Sequence, residues 1–424
     1  MLWAMAALPV GLLILGFPIF VVLLSASAVA LLLYINVPLA LLHQMMLGAI
    51  DSFSLMAVPF FLFAGELMGR GGISSRIINW VLSLIGGVRG SLGLTTVGTC
   101  TVFGAISGSG PATVAAVGRL MYKPLRENGY DSRFTAGLLV TSGGIATLIP
   151  PSVALILYGA AAEQAINLLF IAGLLPGLVL AFAMAVYVYA AAARKGLGRT
   201  KGFHWQEFLR ASRDGGWALM TPVIILGGIY SGIFSPTESA GVAAVYAIIV
   251  TTCIYRSVDL KTLLSIAADS VYLTAQVFII VAAAGVYSWI LTVSGIPAML
   301  AATFNSLQVE PWLGLLIINF FLLIVGALID PASAILVLTP LLVPIANHFG
   351  IDLIHFGVIM AVNIQIGLFT PPFGVNIFVA QAMFGIPLKD IYRGIVPFFF
   401  VNIFVLMLVT YWPDLSMVLV RLLG

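Results

Sequence analysis

The fold of this chain depends on the stretch Ile106-Ser107-Gly108-Ser109-Gly110-Pro111-Ala112-Thr113. It lies within a long apolar region, but two serines, two glycines and a proline within five residues interrupt helical hydrogen bonding. In hydrocarbon, unpaired backbone groups are tolerated only where they are buried in protein or line a water-filled cavity. We therefore predict a re-entrant helical hairpin whose tip, Ser107–Pro111, lies inside the protein.

Three further interruptions follow along the chain, at Ile149-Pro150-Pro151-Ser152, Ile329-Asp330-Pro331-Ala332-Ser333 and Thr370-Pro371-Pro372-Phe373-Gly374. Pro111 and Pro331 are 220 residues apart, and Pro150 and Pro371 are 221 apart. A nearly constant offset is not expected of prolines that merely punctuate membrane helices. It predicts an internal repeat, and paired broken helices at matching positions of two halves indicate a transporter's binding site.

Composition sets the class of protein. The chain has 424 residues, of which 62% are hydrophobic and 8% charged, and its mean hydropathy is +1.16, whereas soluble domains carry about 25% charged residues. Runs of about 20 apolar residues follow one another, which indicates an all-α polytopic membrane protein. Cys100 and Cys253 lie far apart in apolar segments, so we expect buried free thiols with neither a disulfide nor a metal site. The chain carries no nucleotide-binding loop, so we expect no ATP hydrolysis.

The apolar pattern predicts the following elements along the chain. Complete spans are expected at 9–35, 46–68, 167–192, 216–232, 237–255, 270–291 and 389–411. Hairpins are expected at 92–125 and 312–346, broken spans at 134–162 and 356–384, short interfacial pieces at 74–86 and 297–307, and a surface helix at 194–213.

Charge placement predicts how the two halves are oriented. If the amino terminus is cytoplasmic, the predicted spans put every Lys and Arg except Arg421 on the cytoplasmic side. The base of the first hairpin, Arg119–Arg133, is rich in these residues, whereas the base of the second, 308–311 and 347–355, has none. The repeats should therefore be inverted, and their tips should meet near the middle of the bilayer.

The interruptions predict a site for an alkali cation and an anionic substrate. Carbonyl and hydroxyl oxygens suit a hard cation, and helix amino termini suit a carboxylate. We assign cation binding to Ser107, Gly108, Ser109, Gly110, Thr113, Thr147 and Pro150 in the first half, and to Asp330, Ala332, Ser333, Thr370 and Pro371 in the second. We assign substrate binding to Pro111, Ser152, Gly374 and Asn376. Alternatives remain: each hydroxyl could bond to its own backbone, and Asp330 could simply cap its helix.

Other polar residues in apolar surroundings suggest structural roles. Asn319, Asn363 and Gln365 could bridge helices, and Glu66 and Arg70 could pair. Glu238 follows a tight turn, where a carboxylate suits a helix start.

Four motifs in order carry a resemblance over essentially the whole chain: Gly108-Ser109-Gly110-Pro111-Ala112-Thr113, Ile149-Pro150-Pro151-Ser152, Ser235-Pro236-Thr237-Glu238 and Thr370-Pro371-Pro372-Phe373-Gly374-Val375-Asn376. The chain resembles the large membrane subunit, DctM or SiaM type, of tripartite ATP-independent periplasmic (TRAP) transporters. The resemblance implies sodium-driven uptake of an organic acid, such as a C4-dicarboxylate, sialic acid or another sugar acid, across the bacterial inner membrane. It also implies an elevator movement, a four-helix small membrane subunit, here expected as a separate chain, and a periplasmic substrate-binding protein.

On this interpretation, the transport domain comprises residues 92–162 and 312–384, and the scaffold comprises 1–91, 163–311 and 385–424. Sodium is the only metal expected, without any cofactor or nucleic acid. Two alternatives remain open: a stand-alone sodium–anion symporter of similar architecture, and a polytopic membrane enzyme. All four histidines, His43, His204, His348 and His355, lie outside the predicted tips, which counts against the enzyme.

Overall fold

The computed structural model describes residues 3–35, 37–38, 40–198 and 202–423 of the chain, and in these residues it contains helices and no strand. The α-helices of the first part are α1 Leu8–Ile14, α2 Ile19–Ala30, α3 Ala40–Ile50, α4 Ala57–Arg70, α5 Ile73–Ile85, α6 Ser91–Ser107, α7 Gly110–Glu127, α8 Ser132–Gly144, α9 Val153–Ala161 and α10 Ile166–Arg194. Those of the second part are α11 Trp205–Tyr230, α12 Pro236–Ile248, α13 Leu260–Val293, α14 Ile296–Ser306, α15 Pro311–Leu328, α16 Pro331–His348, α17 Leu353–Gly367, α18 Val375–Phe384, α19 Leu388–Tyr411 and α20 Asp414–Leu423. Short 3₁₀ turns occur at Phe53–Met56 and Ile145–Thr147, and π-helical turns at Trp3–Ala7, Leu31–Ile35 and Ile249–Ile254.

Seven helices within the described ranges are long and apolar enough to cross a membrane. They are Phe53–Arg70, Ile166–Arg194, Pro236–Ile254, Leu260–Val293, Pro311–Leu328, Pro331–His348 and Leu388–Tyr411. The prediction of an all-α, multi-pass membrane protein is therefore confirmed.

Two spans predicted near the amino terminus were wrong, because neither is a continuous helix in the structure. The span at 9–35 is two helices, because Gly16 takes a left-handed conformation with φ of 82° and Pro18 is extended. The span predicted at 46–68 starts later, since α3 ends at Ile50 and the chain turns through extended Ser52 before helix resumes at Phe53. Apolar composition alone did not reveal either turn.

Helix α11 is one continuous helix, although we predicted a surface helix at 194–213 and a separate span at 216–232. Residues 199–201 of the predicted surface segment lie outside the described residues. The polar beginning and the apolar end of α11 join through Gly215 and Gly216 without a cap. Helix α13 likewise runs for 34 residues from its cap at Asp259, because neither Gly nor Pro occurs before Gly285.

The carboxyl-terminal tail forms a helix that the sequence analysis did not foresee. Helix α20 packs against α10, and the Arg421 guanidinium contacts the Asp414 carboxylate at 2.8 Å.

The prediction of two buried thiols was half wrong: Cys100 is buried, but Cys253 is exposed at the π-helical turn after α12. The short helices predicted at 74–86 and 297–307 are present as α5 and α14.

The helices of both predicted hairpins and of both predicted broken spans are present in the described residues, while the re-entrant character of the hairpins stays a prediction. The first half contains the hairpin α6–α7 and the broken pair α8–α9, and the second half contains α15–α16 and α17–α18. Side-chain caps start these helices: Asp131 accepts the Phe134 amide at 2.8 Å, and Asp352 accepts the Ile354 amide at 2.8 Å. The second-half helices α16, α17, α18 and α19 begin 221 or 222 residues after α7, α8, α9 and α10. The inverted orientation of the two halves stays a prediction.

The two halves interlock through their hairpins. Helix α7 of the first hairpin packs against α18 of the second half, and α16 of the second hairpin packs against α9 of the first. At the first contact, Tyr122 and Phe384 stack with ring centroids 5.0 Å apart. A Cβ atom on Gly118 would lie 2.4 Å from Phe384 Cζ, so the ring occupies the space above this glycine. Each hairpin is therefore held partly by the other half.

Helices α10 and α19 pack directly against the broken helices. Helix α19 packs closely on α8, and α10 contacts α17. A Cβ atom on Gly394 would lie 1.9 Å from the Arg133 carbonyl oxygen, and one on Gly137 would lie 2.1 Å from the Gly394 carbonyl oxygen. The Arg133 and Asp390 side chains pair at 3.0 Å beside this contact. Since neither helix could carry a side chain here, α8 and α19 approach backbone to backbone.

Candidate functional site

The first tip is a two-residue link between α6 and α7. Gly108 takes a left-handed conformation with φ of 60°, which ends α6 after Ser107. Ser109 then starts α7 as its N-cap: its Oγ accepts the Ala112 amide at 3.5 Å, and its carbonyl oxygen accepts the Thr113 hydroxyl at 2.8 Å. Pro111 fits in the first turn of α7, where its missing N–H costs no hydrogen bond.

The first tip lies against the first broken helix. A Cβ atom on Gly108 would lie 2.4 Å from the Pro151 carbonyl oxygen. Within the break, the Thr147 hydroxyl donates to the Gly144 carbonyl at 2.8 Å, and the Ser152 hydroxyl donates to the Thr147 carbonyl. Ser152 also caps α9 by accepting the Leu155 amide at 3.3 Å. Pro150 and Ser152 are both buried, so this break is enclosed by protein.

Asn376 joins the second half to the first tip. A Cβ atom on Gly110 would lie 3.4 Å from Asn376 Oδ1 and 2.8 Å from Leu368 Cδ1. The Asn376 Nδ2 group donates to the Val140 carbonyl of α8 at 3.0 Å. Asn376 is fully buried, and its Oδ1 atom accepts no hydrogen bond from the described residues. This carbonyl oxygen is therefore available to a ligand beside the tip.

The second tip is an Asp-capped helix start. Asp330 Oδ1 accepts the Ser333 amide at 3.0 Å, and Oδ2 accepts the buried Ser333 hydroxyl. The predicted capping role of Asp330 is thus confirmed, and half-buried Ala332 lies in the same first turn. An ionised carboxylate offers about four lone-pair sites, and the two hydrogen bonds leave room for a cation.

The second tip lies against the second broken helix through backbone contacts. The Phe373 amide donates to the Ala327 carbonyl at 3.2 Å, and a Cβ atom on Gly326 would lie 3.4 Å from Gly367 Cα. The Thr370 hydroxyl donates to the Ile366 carbonyl at 2.7 Å, and the Thr370 carbonyl accepts the Gly374 amide at 3.2 Å. The hydroxyls of Thr113, Thr147 and Thr370 therefore all bond to local backbone, as one alternative anticipated, while their oxygens keep lone pairs for a ligand.

The two breaks differ in exposure. Pro150 and Pro151 are buried, whereas Pro371, Pro372 and Phe373 are exposed, Phe373 by 59%. The second break therefore opens to the outside of the fold, although it corresponds in sequence to the enclosed first break.

Some buried oxygens at the first tip and on the broken helices have no hydrogen-bond partner among the described residues, as do others elsewhere in the fold, such as Ser27 Oγ and Thr221 Oγ1. The Ser107 Oγ atom is buried at the end of α6 and has no hydrogen-bond partner among the described residues. The Gln365 Oε1 and Ser142 Oγ atoms, on the broken helices, share this property. A buried polar atom costs free energy unless it is paired, so the Ser107 oxygen at the tip is well suited to a bound cation or to water.

The predicted bridging residues do join helices. Asn363 Nδ2 donates to Asn319 Oδ1 at 2.8 Å, and Asn319 Nδ2 donates to Thr410 Oγ1 at 2.9 Å, which links α17, α15 and α19. Gln365 Nε2 donates to Asn402 Oδ1 at 3.0 Å. The predicted Glu66–Arg70 pair is present at 3.1 Å, and Glu238 completes a capping box with Ser235 at the start of α12.

The predicted site residues fall into two groups in the structure. Ser107, Gly108, Ser109, Gly110, Pro111, Thr113, Thr147, Pro150, Ser152 and Asn376 surround the first tip, and Asp330, Ala332, Ser333, Thr370, Pro371 and Gly374 surround the second. Sequence reasoning missed Gly65 of α4, whose Cβ would lie 3.0 Å from Ser107 Cα. It also missed Leu368, whose carbonyl accepts the Asn376 amide at 3.0 Å. Neither residue carries a polar side chain that could have signalled its position.

Comparisons with known proteins agree with this geometry. Residues 6–415 match the family described as the DctM component of tripartite ATP-independent periplasmic transporters. The chain is 41% identical, over 88% of each chain, to the C4-dicarboxylate TRAP transporter large permease protein DctM of Pseudomonas aeruginosa. It is 37% identical, over 97% of this chain and 96% of the other, to the sialic acid TRAP transporter large permease protein SiaM of Vibrio cholerae.

The fold is similar to a solved transporter structure. The YdaH transporter of Alcanivorax borkumensis superposes with a TM-score of 0.57 at 14% identity, over 97% of this chain and 99% of that one. That likeness concerns the fold alone, whereas the family match covers nearly the whole sequence. This chain therefore belongs to the DctM family, the large permease components of tripartite ATP-independent periplasmic transporters, and is a multi-pass transporter subunit rather than an enzyme.

Proposed function

We propose that this chain carries a small organic acid across the bacterial inner membrane, driven by sodium. The observation that supports sodium coupling is the pair of hairpin tips lying on broken helices, with unpartnered buried oxygens at Ser107 and Asn376 and a partly free carboxylate at Asp330. Carbonyl, hydroxyl and carboxylate oxygens are the ligands that hard cations prefer. When bound, sodium would supply positive charge beside the substrate carboxylate.

We place substrate between the two tips, next to Pro111, Ser152, Gly374 and Asn376. The starts of α7 and α9 direct N–H groups towards this region, and such helix starts favour a carboxylate. The names of the two relatives support a C4-dicarboxylate or sialic acid as the substrate class. Both substrates carry a carboxylate, which is the part that the helix starts would bind.

We propose an elevator movement in which the interlocked hairpins and broken helices move as one body. The contacts of α10 with α17 and of α19 with α8 support including these two helices in that body. This placement differs from the division predicted from sequence, which put residues 163–311 and 385–424 in the scaffold. Helices α2, α3 and α4 each pack on α13, and these four helices form the core of the proposed scaffold.

Purified chain reconstituted alone should give little uptake. We expect sodium-driven accumulation of labelled succinate or sialic acid only when the small membrane subunit and the cognate periplasmic binding protein are added to the proteoliposomes. The control omits the sodium gradient while keeping all three proteins. Full sodium-driven uptake by the chain alone would instead support the stand-alone sodium–anion symporter.

The orientation of the chain can be tested with single cysteines. In a variant lacking Cys100 and Cys253, we expect Lys123→Cys and Arg210→Cys to be protected in intact cells from a membrane-impermeant thiol reagent, because both positions lie on the Lys- and Arg-rich side. We expect Glu310→Cys, at the base of the second hairpin, to be labelled. All three side chains are exposed, so accessibility to reagent is matched after the cells are opened. The reverse pattern would contradict both the cytoplasmic amino terminus and the inverted repeat.

A further inference from the structure

A cavity of about 900 Å³ lies between α5 and α11, away from the hairpin tips. Its lining includes Arg76 and Asn79 of α5, Arg210 and Arg213 of α11, and Tyr255 beyond the π-helical turn. The two helices are joined beside it, since Trp80 Nε1 donates to Ser212 Oγ at 3.1 Å. This hydrogen bond holds α5 and α11 together, so the cavity lies between two helices of fixed position.

The cavity is polar and cationic. The Arg76 guanidinium carbon lies 3.7 Å from the centroid of the Tyr255 ring, which holds this side chain in place. Neither Arg210 nor Arg213 forms an ion pair with another described residue, and both are exposed. Three arginines face two acidic residues, Glu207 and Asp214, along the same lining. The excess positive charge favours an anionic ligand.

The position of the cavity indicates where that ligand comes from. Helix α11 changes from a polar beginning to an apolar end at this level. Phe203, Trp205, Leu209 and Trp217 are all about half exposed around it, with exposures of 49–60%. Tryptophans such as Trp205 and Trp217 are enriched where a membrane meets water, and arginines beside them attract anionic lipid headgroups.

We propose that this cavity binds the headgroup of an anionic phospholipid, with Arg76, Arg210 and Arg213 around the phosphate. Arginine matches phosphate with paired hydrogen bonds from its planar guanidinium, which a lysine cannot reproduce. The lining also includes Leu82, Trp217 and Ile254, against which the glycerol and the first acyl carbons would lie. The site is separate from the hairpin tips and does not depend on the proposed transport mechanism.

Binding of fluorescent phosphatidylglycerol to the full-length protein in detergent tests this site. We expect Arg210→Gln/Arg213→Gln to raise the apparent Kd by about tenfold or more, since two charge-assisted contacts are lost. The matched control, Arg119→Gln/Lys261→Gln, removes the same charge from exposed positions outside the cavity and should change the Kd less than about twofold. Fluorescent phosphatidylcholine, which has a phosphate but no net charge, should bind the unmodified protein weakly.

Four outcomes would overturn the proposal. Equal weakening by both double variants would show attraction by net charge alone, and no weakening by either would show that the cavity is not the site. Displacement of the lipid by inorganic phosphate at low millimolar concentration would identify free phosphate as the ligand. If the cavity variant fails to fold, quenching of Trp217 fluorescence by brominated phosphatidylglycerol decides the matter. That quenching, measured as the difference between the unmodified protein and Trp217→Phe, should be present, and its absence would refute the lipid site.

Discussion

Uptake by the Asp330→Ala variant should need about tenfold more sodium, or more, to reach half its maximum. The variant loses both the carboxylate of the second tip and the N-cap that accepts the Ser333 amide at 3.0 Å. Asp330→Asn separates these roles, because Asn caps a helix nearly as well but carries no charge. We expect Asp330→Asn to keep the melting temperature and still to raise the sodium requirement.

The control for this experiment is a second capping aspartate. Asp352 starts α17 in the same way, with its Oδ1 accepting the Ile354 amide at 2.8 Å, but it lies at the far end of that helix from Thr370. Asp352→Asn should therefore leave sodium dependence unchanged. Ser109→Ala and Thr370→Ala should raise the sodium requirement by smaller factors, because each removes one neutral oxygen. Unchanged sodium dependence in Asp330→Asn, Ser109→Ala and Thr370→Ala would remove the hairpin tips from the ion site.

Measuring uptake against sodium concentration also tests the coupling between sodium and substrate binding. Coupling between two ligands is reciprocal, so saturating substrate should tighten sodium by the factor by which sodium tightens substrate. In Asp330→Asn, we expect substrate affinity at saturating sodium to approach that of the unmodified protein. A loss of substrate affinity that sodium cannot restore would instead place Asp330 in direct contact with substrate.

Gly394→Ala should destabilise the protein by about 3 kcal/mol or more. Its added Cβ would lie 1.9 Å from the Arg133 carbonyl oxygen, and a backbone atom cannot move aside as a flexible side chain can. Helix α19 would have to shift away from α8 and from its ion pair with Arg133. The measurement is the melting temperature of the purified protein, with size-exclusion chromatography to detect aggregation.

Gly241→Ala is the matched control for this change. Gly241 also lies within a helix, but no atom lies within 4 Å of the position its Cβ would take. Because Ala has a higher helix propensity than Gly, we expect Gly241→Ala to be neutral or to stabilise by up to about 1 kcal/mol. Equal melting temperatures for the two variants would contradict the backbone-to-backbone packing of α8 and α19.

The sequence predicted correctly those elements that depend on the effect of a residue on its own backbone. The breaks at Ser107–Pro111 and Asp330–Pro331 were found because glycine, proline and capping residues act on their own backbone. The same reasoning failed at Ser52, where the turn contains neither glycine nor proline, and within α11, where the Gly215-Gly216 pair does not interrupt the helix. The extended backbone at Ser52 and the unbroken helix α11 depend on tertiary packing.

Contacts between distant segments were beyond sequence reasoning. Asn376 was selected as a polar residue after the second break, but its bond to the Val140 carbonyl depends on how the two halves meet. Gly65, which approaches Ser107, and Gly137 and Gly394, which meet each other, carry no side chain at all. Their importance lies in the space that they leave for a neighbour, which one sequence does not reveal.

The interlocking of the halves also has a consequence for biosynthesis. When the ribosome finishes α7, its partner α18 is still about 250 residues from being made, which corresponds to about 10–50 s of translation. During this interval the first tip can contact Gly65 and the first broken helix, but it lacks Leu368 and Asn376, which lie beside Gly110 in the finished fold. Unpaired backbone groups are costly in lipid. The second hairpin has no such delay, because α9 is already in place when α16 emerges. Until α18 is made, the first hairpin therefore depends for cover on its contacts with α4 and α8.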